Sequence, residues 1–401
     1  MSKSLAALNY LYENVFQFEV NRTGSNMRMV CAFSCLAERG YANLDIFNLI
    51  EELRKKHEIH LFLLSKSKDE KNLKYYDIEP FWNRLRRNRL FFIFHILFLM
   101  KEVKRIKPDI LIADSVFNIS IPFYIISRIL KIPLVIYCRE AILERIANRY
   151  VRNFLRFLRR FVLKKSELVV AIEEGWKQYF QKEIGKEVYL VPTSINLEKF
   201  RFRNVRSELN LPISDKLILY MGSLLEYRRL DLLLKAFNKI RAENLKLVLA
   251  GPHTGNIEYL KDLIQKLNLK ESVILLPWLP YSLIPSLIYS CDVCVDPWPR
   301  SGIEESVYGL KILEYMAAGK PVLAIDIKGN RAIIKNGYNG VLAKPNVQDI
   351  SKKLLLLLND SDFSNKLGQN ALKTIKEKHD SKLVANKFEK LITTEIGLLK
   401  K

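Results

Sequence analysis

The chain is 401 residues long, 49% hydrophobic and 27% charged. That length exceeds one ordinary core, and the balance excludes a disordered or membrane-spanning chain, which leaves a globular protein of two domains. Its 65 Lys and Arg against 43 Asp and Glu, a formal net charge of +22, call for an anionic partner: a phosphate-bearing ligand, an anionic lipid surface or nucleic acid.

The amino-terminal stretch MSKSLAALNYLYENVF lacks the charged start, long apolar run and cleavage site of a secretory signal, so a cytoplasmic location is expected. Apolar runs then recur at the spacing of strands alternating with helices: ALNYLYE, EIHLFLL, DILIAD, PLVIYC, LVVAI and VYLVP. This is the pattern of a parallel sheet covered on both faces.

Two basic segments interrupt it, at 84–107 and 145–165. In the second, Arg145, Arg149, Arg152, Arg156 and Arg159 share one helical face, with Ala147, Val151, Leu155, Leu158 and Val162 roughly opposite. Such a helix either covers a core with a basic outer side or lies on anionic lipid. The run LFFIFHILFLM in the first segment is about half the roughly 20 residues needed to cross a bilayer, so attachment to one leaflet is open and crossing is not.

A polar connector, 200–216, leads to a second set of strands at KLILYMG, LKLVLAG, VILLP, VCVDP, PVLAI and GVLAK. Helices such as LDLLLKAFNKIRAE and IEYLKDLIQKL lie between them, and from Asp349 the chain is helical to its end. The expected architecture is α/β: two doubly wound, Rossmann-like domains facing a cleft, at 1–203 and 204–385, with a tail at 386–401 that packs back on the first domain. The five cysteines include two close pairs, Cys31 with Cys35 and Cys291 with Cys294, without the second pair or histidines of a zinc site. Reduced thiols and no bound metal are expected.

In open parallel sheets, ligands bind beyond the carboxyl ends of the strands. At the first such junction, YMGSLLEYRRLDLLLKAF, Gly222 permits a tight exit and Arg228 and Arg229 follow. Guanidinium forks match phosphate oxygens at about 1.5–3 kcal/mol per charged hydrogen bond, although a solvated loop with two surface arginines fits the residues equally. At the second, Trp278 and Leu279 leave a strand between two prolines, as a ledge for a base or as core. The third, SGIEES followed by VYGLKILEYMAAGKPVLAID, opens a helix whose free amides suit an anion. Lys311 in its first turn opposes the helix dipole unless a phosphate is held there. Glu314, one turn on, has two oxygens to accept from vicinal ribose hydroxyls, while a Lys311–Glu314 surface pair remains the plainer alternative.

The run YGLKILEYMAAGKPVLA resembles the donor-site signature of the family-4 retaining glycosyltransferases, which have the GT-B fold. MGSLLEYRR, LVLAGP, VILLPWLP and CDVCVDPW follow in the family's order; the likeness covers roughly 215–395 and extends more weakly to KPDILIAD, IPLVIYCRE, LVVAI and VYLVPTSINLEKF. The resemblance implies a nucleotide-sugar donor, with Glu314 on the ribose and Arg228, Lys311 and the amides of Gly309 and Leu310 on the diphosphate. It implies no metal or other cofactor, and an acceptor that is a sugar, a polysaccharide or a lipid-linked sugar. Two positions depart from the pattern: the family's first glutamate falls at Ser306, just after Glu304 and Glu305, and its arginine after the strand glycine falls at Ser223. Where the family often has a histidine in the first domain, YCREA offers Arg139 for the departing phosphate and Glu140 for the acceptor. Gly24, in NRTGSNMRM, is read as a loop near the donor phosphates. The candidate catalytic set is therefore Arg228, Lys311, Glu305 and Arg139. A non-catalytic scaffold of this fold and a basic nucleic-acid-binding protein are the competing readings; the latter lacks a reader motif or interleaved aromatics.

Overall fold

The computed structural model describes residues 27–33, 44–63, 74–77, 90–139, 143, 146–200, 202–251, 257–300 and 302–397. Among them a seven-stranded parallel sheet runs in the order β3-β2-β1-β4-β5-β6-β7. Its strands are β1 (Arg28–Phe33), β2 (Glu58–Leu63), β3 (Lys74–Asp77), β4 (Ile110–Asp114), β5 (Leu134–Cys138), β6 (Leu168–Ala171) and β7 (Tyr189–Leu190). The strands β4, β5 and β6 are buried along their whole length, as expected where helices cover both faces. The strands β1 and β3 fall outside the runs read from the sequence, while ALNYLYE lies outside the described residues, as do Gly24, Glu140 and Arg145.

Helices α1 (Leu44–Leu53), α2 (Leu90–Ile106), α3 (Phe117–Leu130), α4 (Arg149–Lys165) and α5 (Glu174–Ile184) connect these strands. The start of α4 is set by Asn148, whose side chain accepts from the amides of Tyr150 and Val151 at 3.0 and 3.1 Å. Its arginine face does not form the expected basic outer side. Arg159 is buried, donating to Glu183 at 2.8 Å and Tyr179 at 3.0 Å, and Arg152 donates to the carbonyl of Ile146 at 2.9 Å.

The second sheet has six parallel strands in the order β10-β9-β8-β11-β12-β13. They are β8 (Lys216–Met221), β9 (Leu245–Ala250), β10 (Val273–Leu276), β11 (Val293–Asp296), β12 (Val322–Ile325) and β13 (Val341–Ala343). Alternation in β8 serves two cores: Leu217, Leu219 and Met221 enter one, Ile218 and Tyr220 the other. The helices are α6 (Leu230–Ile240), α7 (Ile257–Lys266), α8 (Ile284–Ser290), α9 (Leu310–Ala317), α10 (Lys328–Ile333), α11 (Val347–Asn359), α12 (Ser361–Lys378) and α13 (Ser381–Ile396). The helical tail is cut into three by its caps: Asn346, Asp360 and Asp380 accept from the amides of Asp349, Phe363 and Lys382, each cap contributing about 1 kcal/mol.

The last helix, α13, packs on α1 and places Val384, Ala385, Phe388 and Ile392 in the first core. The chain thus crosses between lobes twice, and the crossings are bonded to each other. Ile195 donates to the carbonyl of His379 at 2.7 Å, Ser381 donates back to Ile195 at 3.0 Å, and the His379 ring lies 2.8 Å from the carbonyl of Thr193. These crossings precede the boundaries read at 203/204 and 385/386 by a few residues. No helix among the described residues is long and apolar enough to cross a membrane.

Candidate active site

In the second sheet β8 and β11 are neighbours from which the strand order departs in opposite directions. Side chains and loops at their carboxyl ends therefore surround a crevice no crossover covers, the general site of ligand binding in such sheets. Gly222, directly after β8, has φ +139°, where a side chain is strained, and a Cβ there would sit 2.8 Å from the Lys311 Nζ. Asp296 ends β11, and α9 begins at Leu310 with Gly309 as an N-cap that makes no side-chain capping bond.

Three cations meet one carboxylate at this point. Asp296 is fully buried; its Oδ2 accepts from Arg300 at 3.2 Å and its Oδ1 lies 3.6 Å from the Lys311 Nζ. At that distance the second contact is an ion pair and not a hydrogen bond. The Lys311 ammonium lies over the Tyr220 ring, 4.3 Å from its centre, and makes no hydrogen bond among the described residues. Burial lowers its pKa to about 8, helped by Arg228 and Arg300 and opposed by Asp296. Burial alone would raise Asp296; Lys311, Arg300 and Arg228 outweigh it and hold the carboxylate below its ordinary range.

Arg228 closes a 3-10 turn, Glu226–Arg228. Its Nε donates to the Ser223 hydroxyl at 3.0 Å, and the guanidinium lies 3.8 Å from the centre of the Trp298 ring and 4.8 Å from that of Tyr227. Ser223, a departure from the resembled pattern, thus orients an arginine that lies five residues on.

Glu314 is buried one turn above Lys311, and burial raises its pKa to about 7, against the Tyr281 hydroxyl bonded to it and the Lys311 charge. The surface Lys311–Glu314 pair considered above is therefore absent: both groups are internal, and the partner of Lys311 is Asp296.

A cavity of about 560 Å³ opens over this cluster and is walled by both lobes. Of the residues named from the sequence, Gly222, Ser223, Arg228, Trp278, Leu279, Gly309, Leu310, Lys311, Glu314 and Arg139 line it. Trp278 is 47% exposed, a ledge rather than core. Arg229 does not line the cavity: with φ +57° it turns outward and pairs with Asp231 at 2.9 Å. Glu305 is exposed on the turn Gly302–Ser306, and its neighbour Glu304 reaches the wall instead. Ser306 turns its carbonyl to the first lobe, where a Cβ on Gly175 would lie 2.0 Å from it.

Several lining residues were not named from the sequence: Glu173, Trp176, Tyr227, Trp298 and Arg300. The segment VDPWPR carried a signal for the last two, an acid at a strand's end with an arginine four residues on. Glu173 ties the lobes together, its Oε2 accepting from the Tyr308 amide at 2.7 Å just before α9. Among the described residues no group of three or more His, Cys, Asp or Glu could hold a metal ion.

Two family models match the chain, Glycosyltransferase Family 4 over residues 45–199 and Glycosyl transferases group 1 over 202–374. With one covering each lobe, the chain belongs to the family-4, group 1 glycosyltransferases, whose two-lobed fold is GT-B. An uncharacterized glycosyltransferase of Methanocaldococcus jannaschii is 33% identical over 46% of each chain. A Campylobacter jejuni protein named N,N'-diacetylbacillosaminyl-diphospho-undecaprenol alpha-1,3-N-acetylgalactosaminyltransferase is 25% identical over 77% of this chain and 83% of its own. The chain spans about half the length of the first curated relatives it matches, 46%, 56% and 59%. The Anabaena HepE structure in complex with UDP superposes with a TM-score of 0.76 over 92% of this chain and all of that one, at 15% identity, which is a likeness of fold.

Proposed function

We propose that the protein moves a sugar, with retention at the anomeric carbon, from a nucleoside diphosphate sugar to an acceptor hydroxyl. The observation that carries this reading is the buried ammonium of Lys311, without a hydrogen bond among the described residues, beside Arg228 and Arg300 at a helix start facing the interlobe cavity. Three cations against one carboxylate leave an excess of positive charge that a diphosphate would neutralise. Similar proteins fit: HepE has been solved with UDP-glucose, and the Campylobacter jejuni relative is named for an undecaprenol-linked acceptor.

In this reading the diphosphate lies against Arg228, Lys311 and the amides of Gly309 and Leu310, the ribose hydroxyls donate to Glu314, and the base rests on Trp278 and Leu279. As the bond from the anomeric carbon to the phosphate oxygen breaks, charge grows on the diphosphate, and fixed cations stabilise that growth without reorganising. The acceptor oxygen forms the new bond on the same face, and its proton passes to the leaving phosphate oxygen. Cationic side chains take the part a divalent ion plays elsewhere, so turnover is expected to persist in excess chelator. Arg139 and Glu173 face the acceptor side, and a lipid-linked acceptor puts the protein at the inner face of the cell membrane.

A panel of nucleoside diphosphate sugars, with free UDP and GDP as controls, is expected to raise the melting temperature by mass action. Silence from every member at millimolar concentration refutes the donor site. Arg228→Ala is expected to weaken nucleoside diphosphate binding by about tenfold to a hundredfold, the loss of about 1.5–3 kcal/mol of charged hydrogen bonding. Arg229→Ala, already paired outside the cavity, is expected to leave it unchanged; equal effects at the two positions count against the assignment.

A further inference from the structure

The first lobe carries a surface that sugar transfer does not use. On α4, Arg159, Val162 and Leu163 are buried against the lobe. The opposite face presents Tyr150, Phe154, Phe157 and Phe161, which are 86%, 61%, 66% and 45% exposed. At 100° per residue, positions i, i+4, i+7 and i+11 form one narrow strip. Arg149, Arg160, Lys164 and Lys165 are exposed beside it, and the helix contains no acidic residue. The strip is continued by α3, which packs on both α4 and α2: Tyr124 meets the Phe161 ring edge-on at 5.6 Å, and Ile129 is 58% exposed.

Singly exposed apolar residues are ordinary on soluble proteins, whereas four aromatics in line are not. Aromatic rings prefer a boundary where one side is apolar and the other wet, and lysine and arginine flanks prefer anionic headgroups. A protein partner with a deep apolar groove would be served by the rings alone. The cationic border and the absence of any acid on the helix specify negative charge around that apolar phase, and the chain's net charge of +22 supplies the long-range attraction.

We infer that α4 lies in the headgroup layer of an anionic bilayer, parallel to its plane, with the Tyr150–Phe161 strip inserted and the flanking cations on lipid phosphates. This deepens the membrane element of the proposed function and rests on that reading only for the acceptor's identity. It also replaces the arginine face expected from the sequence with the aromatic one as the surface that meets lipid.

The test is sedimentation of the full chain with vesicles of phosphatidylglycerol and of phosphatidylcholine. The protein is expected to bind the anionic vesicles and not the neutral ones. Phe154→Ser/Phe157→Ser should bind them at least about tenfold more weakly, and Arg160→Ser/Lys164→Ser/Lys165→Ser should also bind less and lose most of its salt dependence. Leu355→Ser/Leu356→Ser, which removes exposed leucines of the other lobe, should bind like the parent. Equal binding to both lipids, no binding, or undiminished binding by the phenylalanine variant overturns the inference. So does a concentration-dependent dimer, seen without lipid, that this variant abolishes, since a second copy would then cover the strip. Melting shifts with the nucleoside diphosphate sugar panel, read on the same samples, separate the two claims: a shift with any member but no vesicle binding sinks only the membrane contact, and vesicle binding with no shift from any member sinks only the donor site.

Discussion

Lys311→Met is expected to lower kcat by about 10²–10³-fold, the usual cost of deleting one preorganised group aimed at charge that develops in the transition state. Methionine keeps most of the apolar stem, so the fold should survive while the ammonium, with its contact to the Tyr220 ring, is lost. A variant with unaltered kcat would remove Lys311 from the reaction. The free enzyme should also show a bell-shaped dependence of kcat/KM on pH. Glu314, raised to about 7 by burial, must ionise to accept from a ribose, so activity rises through that value; Lys311, lowered to about 8, must keep its proton, so activity falls above it. Lys311→Arg should abolish the alkaline limb alone. Stability moves the other way there: the unfolded lysine holds its proton to its ordinary 10.5 while the folded one releases it near 8. Between those values the unfolded state binds more protons, so stability rises with pH as activity falls.

Asp296→Asn is expected to destabilise the protein by about 3–5 kcal/mol, because it keeps the shape of a fully buried side chain and deletes the carboxylate that Lys311, Arg300 and Arg228 hold in its ionised form. Urea titration measures it, and a loss under about 1 kcal/mol would mean that solvent already screens the cluster. A nucleoside diphosphate supplies the missing charge, so its stabilising effect should be larger in the variant than in the parent.

Strands buried on both faces are legible because they are uninterrupted apolar runs, as DILIAD, PLVIYC and LVVAI are. The edge strand KYYD has no such run, and RMVCAF starts on an arginine that pairs with Glu58 at 3.0 Å, a partner 30 residues away. The site was legible where a residue contradicted its local setting: Lys311 at a helix start made little sense without an anion. Local residues alone did not separate Arg228 from Arg229, which only the family resemblance ranked, since the choice depends on one residue adopting φ +57°. The same holds for Glu304 and Glu305 on a 3-10 turn. The Asp296 cluster depends on β8 lying next to β11, with residues 222–292 intervening in the chain. The two faces read on α4 are not the ones the fold uses: Arg159 and Val162, one from each, are buried together, and the exposed aromatic strip belongs to neither; Glu183 and Tyr179 draw Arg159 under the helix.

The paired crossings at Thr193–Ile195 and His379–Ser381 restrict how the halves can move. Two chains laced side by side resist torsion about the long axis, so the soft motion is a flexing that narrows or widens the gap, like a cover on its spine. The Glu173–Tyr308 clasp spans that gap beside the amino end of α9, so whatever shuts the molecule also fixes the backbone next to the place proposed for the diphosphate, and shutting and aligning become one event.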